Sequence, residues 1–348
     1  MLEINNRIIS SSSDPYVIAE ISANHGGSLE NAYKLINAAK ASGADAVKLQ
    51  TYTPDSMTLN CTKQDFLIKD GLWKGYNLYN LYKEACTPYE WHEKLFKYAN
   101  ELKITIFSSP FDAHAIDFLD ELNVPAFKIA SFEIVDLNLI KHAASKGKPL
   151  LISTGMASKD EIDNAVRIAK DYGNGELLLF HCVSSYPALT EDSNIKLIKT
   201  LRQKYNTEVG LSDHTLSNTA SIAAISMGAS AIEKHFILNK NCKGPDSAFS
   251  IDPEQFRELK NSTTQCWQAL GKGDFHRSKN EQKNKIFRRS LYFVNNLKCG
   301  EIISKNDIKS IRPGFGLPPR YLDQIVNKKR VLKNVFVGVP VKITLLFP

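Results

Sequence analysis

No apolar run in this chain approaches the roughly 20 residues needed to span a bilayer, so membrane-spanning functions are set aside. The N-terminus, Met1-Leu2-Glu3-Ile4-Asn5, lacks a basic stretch followed by an apolar core, and no secretory signal is expected there. Cysteine is sparse: Cys61, Cys86, Cys182, Cys242, Cys266 and Cys299 are scattered, with none at metal-ligand spacing. Six in 348 residues make no disulfide framework, which points to a reducing cytoplasm with the thiols as small apolar or exposed groups. Blocks of like charge are missing too. The net charge of +7 is spread along the chain, and basic runs are short, as in Lys328-Lys329-Arg330. Nucleic-acid binding would need a clustered stripe. An anionic small substrate explains the mild positive balance as well as a polymer does, and so does chance.

An apolar fraction of 43% and a charged fraction of 23% suit a globular protein with a sizeable core. From residue 16 to about 270, short β-rich runs alternate with helical patterns. The expected strands are 16–21, 45–50, 104–108, 126–130, 149–153, 177–182, 208–211 and 229–235. Eight strands separated by helices predict an α/β fold, a (β/α)8 TIM barrel, with a doubly wound open sheet as the competing fold. Ser28 caps a helix with the apolar face Ala32, Leu35, Ile36 and Ala39, stopped by Gly43. Ser158 and Glu161 form a capping box before Ile162, Ala165, Val166 and Ala169. Gly228 ends another helix after Ala220, Ala223, Ala224 and Met227.

Residues 56–92 exceed a normal barrel connection and read either as a lid or substrate wall, or as a helix packed on the barrel side. Composition shifts near Gly271. The expected organisation is a barrel over 1–270, a polar basic linker over 271–285, and a small β-rich domain over 286–348, with a strand at 289–294.

In such barrels the active site forms at the strand C-terminal ends. Those positions here hold Glu20, Lys48, Gln50, Ser108, Ser109, Lys128, Ser131, Glu133, Ser153, Thr154, His181, Ser184, Ser212, Asp213, His214, Glu233 and His235. One polar residue at a strand end is more often a helix cap or a satisfied core group. A full ring with two lysines and several carboxylates is hard to explain as caps. Alternation puts Lys48 and Gln50 on one strand face and Val47 and Leu49 on the other, and pairs Glu233 with His235 likewise. A buried lysine needs an anionic partner. Glu20 or Glu233 would make that a structural ion pair; a substrate anion would make it a binding site. His214 and His235, on neighbouring strands, could converge on one cation, with water and substrate in the remaining positions. Imidazole favours a transition metal over magnesium. Ser109, Ser131, Ser153 and Ser212 with Lys128 offer the donors and the cation that phosphate requires.

Several motifs resemble the sialic acid synthase family: Ala19-Glu20-Ile21-Ser22-Ala23-Asn24-His25, Lys48-Leu49-Gln50-Thr51, Lys128-Ile129-Ala130-Ser131, Ser153-Thr154-Gly155-Met156, Gly210-Leu211-Ser212-Asp213-His214 and Ile232-Glu233-Lys234-His235-Phe236. The tail, with Arg312-Pro313-Gly314, resembles that family's antifreeze-like (SAF) domain, so the likeness covers nearly the whole chain. Thr51-Tyr52-Thr53-Pro54-Asp55-Ser56, Gly71-Leu72-Trp73, Thr87-Pro88-Tyr89-Glu90-Trp91-His92 and Gly244-Pro245-Asp246-Ser247-Ala248-Phe249-Ser250 look most like the family's pseudaminic acid branch.

The resemblance implies a reaction. Carbon 3 of phosphoenolpyruvate adds to the aldehyde of an open-chain sugar, water attacks carbon 2, and phosphate leaves by C–O cleavage. In the pseudaminic branch the sugar is 2,4-diacetamido-2,4,6-trideoxy-β-L-altropyranose; N-acetylneuraminate or legionaminic acid synthesis is the alternative. It also implies roles. His214 and His235 match ligands of a divalent metal, Mn2+ or else Mg2+ or Co2+. Glu20 matches the proton-handling group, with Lys48 and Gln50 beside the reacting centre. Ser109, Lys128, Ser131, Ser153, Ser184 and Ser212 match phosphoenolpyruvate contacts, although many relatives have asparagine where this chain has Ser184. Glu133, Tyr186 and Asp246 match sugar contacts. Arg312 matches an arginine that reaches a partner's site, which implies a domain-swapped homodimer. Two other readings compete: a Schiff-base aldolase using Lys48 or Lys128, and a carbohydrate-binding protein built around the small domain.

Overall fold

The computed structural model describes residues 2–242 and 244–347. The chain divides into two compact units, Met1–Gly271 and Lys272–Pro348. In the first, eight parallel strands close into a barrel: β1 (Tyr16–Glu20), β2 (Ala46–Thr51), β3 (Thr105–Pro110), β4 (Phe127–Ile129), β5 (Leu150–Ser153), β6 (Leu177–Cys182), β7 (Glu208–Asp213) and β8 (Ala231–His235). Strand β8 pairs back onto β1, matching His235 with Glu20. The sheet is therefore closed, not doubly wound. Every expected strand is present, with ends shifted by at most two residues.

Alternation decides what each strand sends inward. Val17, Val47, Leu49, Ile106, Ile129, Ile152, Leu179 and Ile232 are buried beneath the helices. Their neighbours Tyr16, Ile18, Ala46, Phe107, Ala126, Leu151, Leu178, Phe180 and Ala231 fill the barrel interior at the strand N-terminal half. Further along the same inward rows stand Glu20, Lys48, Ser109, Lys128, Ser153, Ser212 and Glu233, all buried. The barrel is thus dry at its base and polar at its mouth. Gly210 belongs to this packing: a Cβ there would lie 2.6 Å from the Phe180 ring and 2.7 Å from the Ala231 carbonyl oxygen.

A hairpin, Glu3–Ile4 against Arg7–Ile8, was not foreseen. Its Leu2 and Ile4, with the following Ile9, join the interior cluster and stop the base of the barrel. Outside, α1 (Leu29–Ala41) is capped by Ser28, whose Oγ accepts the Asn31 N–H at 3.3 Å, and buries Ala32, Leu35, Ile36 and Ala39. Within 56–92 the chain forms α2 (Leu78–Ala85), capped by Asn77. The Ser158–Glu161 box opens α3 (Lys159–Tyr172). Helix α4 (Thr219–Ser226) stops just before Gly228, whose φ is +96°.

One outward row is charged. Lys234, fully buried, lies 2.8 Å from Asp213 Oδ2 and donates to the carbonyls of Thr215 at 2.7 Å and Ser217 at 2.9 Å. Asp213 also accepts from Ser221 Oγ at 2.6 Å. This network pins the loop after β7, which carries His214, to β8. Removing one partner of a buried pair strands the other charge, at a loss of about 3–5 kcal/mol. Lys234→Met is expected to lose that much in a urea denaturation series, and Lys234→Met/Asp213→Leu to regain part of it. A single-variant loss below about 1 kcal/mol would contradict this account of the pair.

The second unit pairs β9 (Ser290–Phe293) with β10 (Ile308–Ile311) in antiparallel fashion. Leu291, Phe293, Ile303, Ile308, Ile325, Val331, Val335, Val341 and Leu345 give it a core of its own. The segment expected as a linker carries an exposed helix, Lys279–Lys283, followed by a 3-10 turn, Asn284–Phe287.

Candidate active site

Two lysines and two glutamates occupy the centre of the barrel mouth. Lys48 lies against the Glu20 carboxyl, 3.7 Å from Glu233, and donates to Ser109 Oγ at 3.2 Å. Lys128 Nζ is 2.7 Å from Glu233 Oε2 and 4.1 Å from the centroid of the Phe180 ring. Ser212 Oγ donates to Glu233 Oε1 at 3.0 Å. Burial opposes ionisation of both glutamates, but the outcomes differ. Lys128 and Lys48 together hold Glu233 ionised, below the usual carboxylate range. Glu20, fully buried and beside the negative Glu233, is pushed up towards neutrality despite Lys48. Two carboxyls driven apart in this way are suited to different tasks, one as a fixed charge and one as a proton carrier.

Further serines stand at the neighbouring strand ends. Ser131 Oγ is 2.9 Å from Cys182 Sγ, and Ser153 is buried on β5. Ser184 Oγ is buried without a hydrogen-bond partner. Gly155, at φ +27°, brings Ser131 and Ser184 together: a Cβ there would lie 2.5 Å from Ser131 Cβ and 2.6 Å from Ser184 Oγ.

The two histidines stand alongside, with ring centroids 5.6 Å apart. His214 donates from Nδ1 to the Val183 carbonyl at 2.8 Å, which leaves Nε2 as a free lone pair. Burial lowers the basicity of both rings, and for His235 the neighbouring His214 adds to the effect. His235 Nδ1 is buried without a hydrogen bond, 3.6 Å from Asp246 Oδ2. Two neutral imidazoles with an unspent nitrogen fit a divalent transition metal. Among the described residues no group of three or more His, Cys, Asp or Glu is arranged around one point, so this pair would leave further coordination positions open.

In front of His235 lies a cavity of about 300 Å3. Gln50, Ser131, Glu133, Tyr186 and Asp246 line it on the barrel side. Trp73 and Phe249 form an aromatic box with Tyr186, and Trp73 Nε1 is fixed by donation to the Pro245 carbonyl at 2.9 Å. Met57, Ile68, Leu78 and Leu81 also line it, so the 56–92 insertion is a wall of the site. Glu133 is pushed up to about 7 by burial, with Asp136 adding to it, and its Oε2 has no partner. Its pKa is raised on folding, so it adds stability below about 4.5 that is lost as pH rises through about 7. Denaturation midpoints of Glu133→Gln should accordingly fall less between those pH values than those of the unaltered protein; parallel falls would contradict this.

The structure brings together Glu20, Lys48, Gln50, Ser109, Lys128, Ser131, Glu133, Ser153, Tyr186, Ser184, Ser212, His214, His235 and Asp246 in one barrel mouth. Arg312 belongs to the second unit, where it is exposed just after β10. Four members of the expected ring are spent elsewhere. Ser108 bonds Thr51 Oγ1 at 2.6 Å, Thr154 Oγ1 donates to the Phe180 carbonyl at 3.2 Å, His181 Nε2 bonds the Ser193 carbonyl at 2.7 Å, and Asp213 serves Lys234. Each sits one residue out of phase with the inward row. Glu233 had no assigned part beyond pairing; it is the charge that organises both lysines. Tyr52, Trp73 and Phe249, which also line the cavity, stand in motifs that resemble the pseudaminic branch, but those motifs alone assign none of them a part in the site.

Comparison with known proteins agrees with this geometry. The NeuB family model matches residues 35–275 and the SAF domain model residues 288–344. The pseudaminic acid synthase of Campylobacter jejuni is 46% identical over 314 residues, covering 90% of this chain and 92% of that protein. The N,N'-diacetyllegionaminic acid synthase of Legionella pneumophila is 39% identical over 328 residues, covering 93% and 92%. Among solved structures, the N-acetylneuraminic acid synthetase of Leptospira borgpetersenii superposes with a TM-score of 0.74 at 31% identity, covering 81% of this chain and 94% of that one. With a family model over residues 35–275, a domain model over 288–344 and a relative 46% identical across 90% of its length, the chain belongs to the NeuB family and ends in a SAF domain.

Proposed function

We propose that this chain condenses phosphoenolpyruvate with 2,4-diacetamido-2,4,6-trideoxy-β-L-altropyranose, giving pseudaminic acid and phosphate. The observation that carries it is the barrel mouth itself: two buried lysines among serines, a neutral histidine pair, and a polar-faced cavity beside them. The higher identity to a pseudaminic acid synthase than to a legionaminic acid synthase supports the choice of sugar over the legionaminic or N-acetylneuraminate alternatives.

Lys48, Lys128 and the hydroxyls of Ser109, Ser131, Ser153, Ser184 and Ser212 hold the carboxylate and phosphate of phosphoenolpyruvate. Gln50, Glu133, Tyr186 and Asp246 hold the sugar, with its aldehyde towards Glu20 and His235. His214 and His235 would hold a divalent metal, Mn2+ or in its place Mg2+ or Co2+, which supplies Lewis acidity at the aldehyde oxygen. A bond forms between carbon 3 of phosphoenolpyruvate and the aldehyde carbon. Glu20, protonated at the start, gives its proton to the aldehyde oxygen and recovers one from the water that adds to carbon 2. The C–O bond to phosphate then breaks, and the second proton of that water leaves with the phosphate. Schiff-base chemistry would need a free amine, and both amines lie against the ionised Glu233, Lys128 at 2.7 Å and Lys48 at 3.7 Å.

Each unit exposes apolar side chains: Phe132, Val135, Met156, Leu189 and Leu216 on the βα loops of the barrel, and Phe287 and Phe315 near Arg312. Exchange of the small unit between two copies would cover such surfaces and supports a domain-swapped homodimer. Phosphoenolpyruvate labelled with oxygen-18 at its bridging position tests the chemistry. The label should leave in the phosphate; label retained in the sugar acid would contradict the mechanism.

A further inference from the structure

The cavity in front of His235 is chemically lopsided. Its polar groups, Gln50, Glu133, Tyr186 and Asp246 among them, come mainly from the barrel, where they stand beside Phe111, Phe132 and Phe249. Its outer side, supplied by the 56–92 insertion, presents Met57, Ile68, Leu78 and Leu81. The Trp73 N–H on that side is already spent on the Pro245 carbonyl, and Tyr82 brings the remaining polar group there.

This outer wall is built in advance of any ligand. Ile68 N–H donates to the Tyr76 carbonyl and Gly75 N–H to the Ile68 carbonyl, both at 2.9 Å. Asn77 caps α2 through the Tyr79 N–H at 3.0 Å and ties it to the Cys61 carbonyl at 2.6 Å. Little ordering is needed when a substrate arrives, so the wall can discriminate by shape and polarity.

An open-chain sugar that puts its aldehyde against Glu20 and His235 points the far end of its chain away from the strand ends. The groups between them, hydroxyls and amides, match the polar side. The far end meets the insertion. We propose that Met57, Ile68, Leu78 and Leu81 receive the carbon-6 methyl of the sugar and make the site selective for 6-deoxy aminosugars over their 6-hydroxylated counterparts. This rests on the synthase reading above and names the residues that read one end of its substrate. A hydroxyl at carbon 6 would lose its water against side chains that offer no partner. Hydrophobic pockets reject an added hydroxyl by about 100-fold.

The test compares two sugars that differ only at carbon 6, by kcat/KM for phosphoenolpyruvate-dependent phosphate release. The unaltered protein should favour the 6-deoxy sugar by about 100-fold. Met57→Gln and Leu78→Gln, both at half-buried positions, should shrink that ratio about ten-fold or more, mainly through KM of the 6-hydroxy sugar. A ratio near one in the unaltered protein would overturn the wall assignment and leave the synthase reading standing. Phosphate release with neither sugar would overturn both. An unchanged ratio in two variants that melt like the unaltered protein would place selectivity elsewhere. Should a variant fail to fold, the ratio of the unaltered protein still decides.

Discussion

Glu20→Gln should lower kcat by about 100- to 10,000-fold, the usual contribution of a positioned proton carrier. The substitution is nearly isosteric. A glutamine oxygen can still accept the Ser22 N–H that Glu20 Oε1 accepts at 2.8 Å. Lys48 keeps Glu233 at 3.7 Å and Ser109 Oγ at 3.2 Å. Binding of phosphoenolpyruvate therefore changes little, and the loss falls on the chemical step. Stopped assays for kcat and for KM of phosphoenolpyruvate, with a thermal melt alongside, separate these effects. A kcat within threefold of the unaltered protein would remove Glu20 from proton transfer.

Exhaustive chelation should abolish turnover, and so should His214→Ala or His235→Ala, each by about 1000-fold or more. That magnitude corresponds to the several kcal/mol a Lewis acid supplies to developing charge. The two routes differ in reversibility. Mn2+ restores the chelated protein, while the alanine variants stay inactive and lose tight binding of Mn2+ in a paramagnetic resonance titration. His214 is the better-oriented member, held through Nδ1 by Val183 O at 2.8 Å. Full activity after chelation would contradict the metal assignment whatever the variants do.

Much of the barrel was legible because a parallel sheet buried on both faces writes itself as short apolar runs. Glycines 43 and 228, at φ +90° and +96°, marked helix ends that only a residue without a Cβ reaches easily. Alternation also placed Lys48, Gln50, Glu233 and His235 correctly. Polarity at a strand end alone overcounts the ring, because the phase of Ser108, His181 and Asp213 puts them under the helices. The hairpin at Glu3–Ile4 was invisible, because strands of two residues carry no period. The insertion offered two readings from its sequence, since contacts of Ile68 or Leu78 with a cavity beyond β8 are non-local. The opposed fates of Glu20 and Glu233 were beyond the sequence as well. They depend on which carboxyl has Lys128 at 2.7 Å, a fact of three dimensions.

The most direct test is a side-by-side assay of three aminosugars with phosphoenolpyruvate and Mn2+: the altrose-configured 6-deoxy diacetamido sugar, the legionaminic precursor and N-acetylmannosamine. Phosphate release and the nine-carbon product are followed together. The account predicts turnover with the first at a kcat/KM well above the other two, with one phosphate released per pseudaminic acid formed. Equal or greater turnover with N-acetylmannosamine or the legionaminic precursor would contradict it.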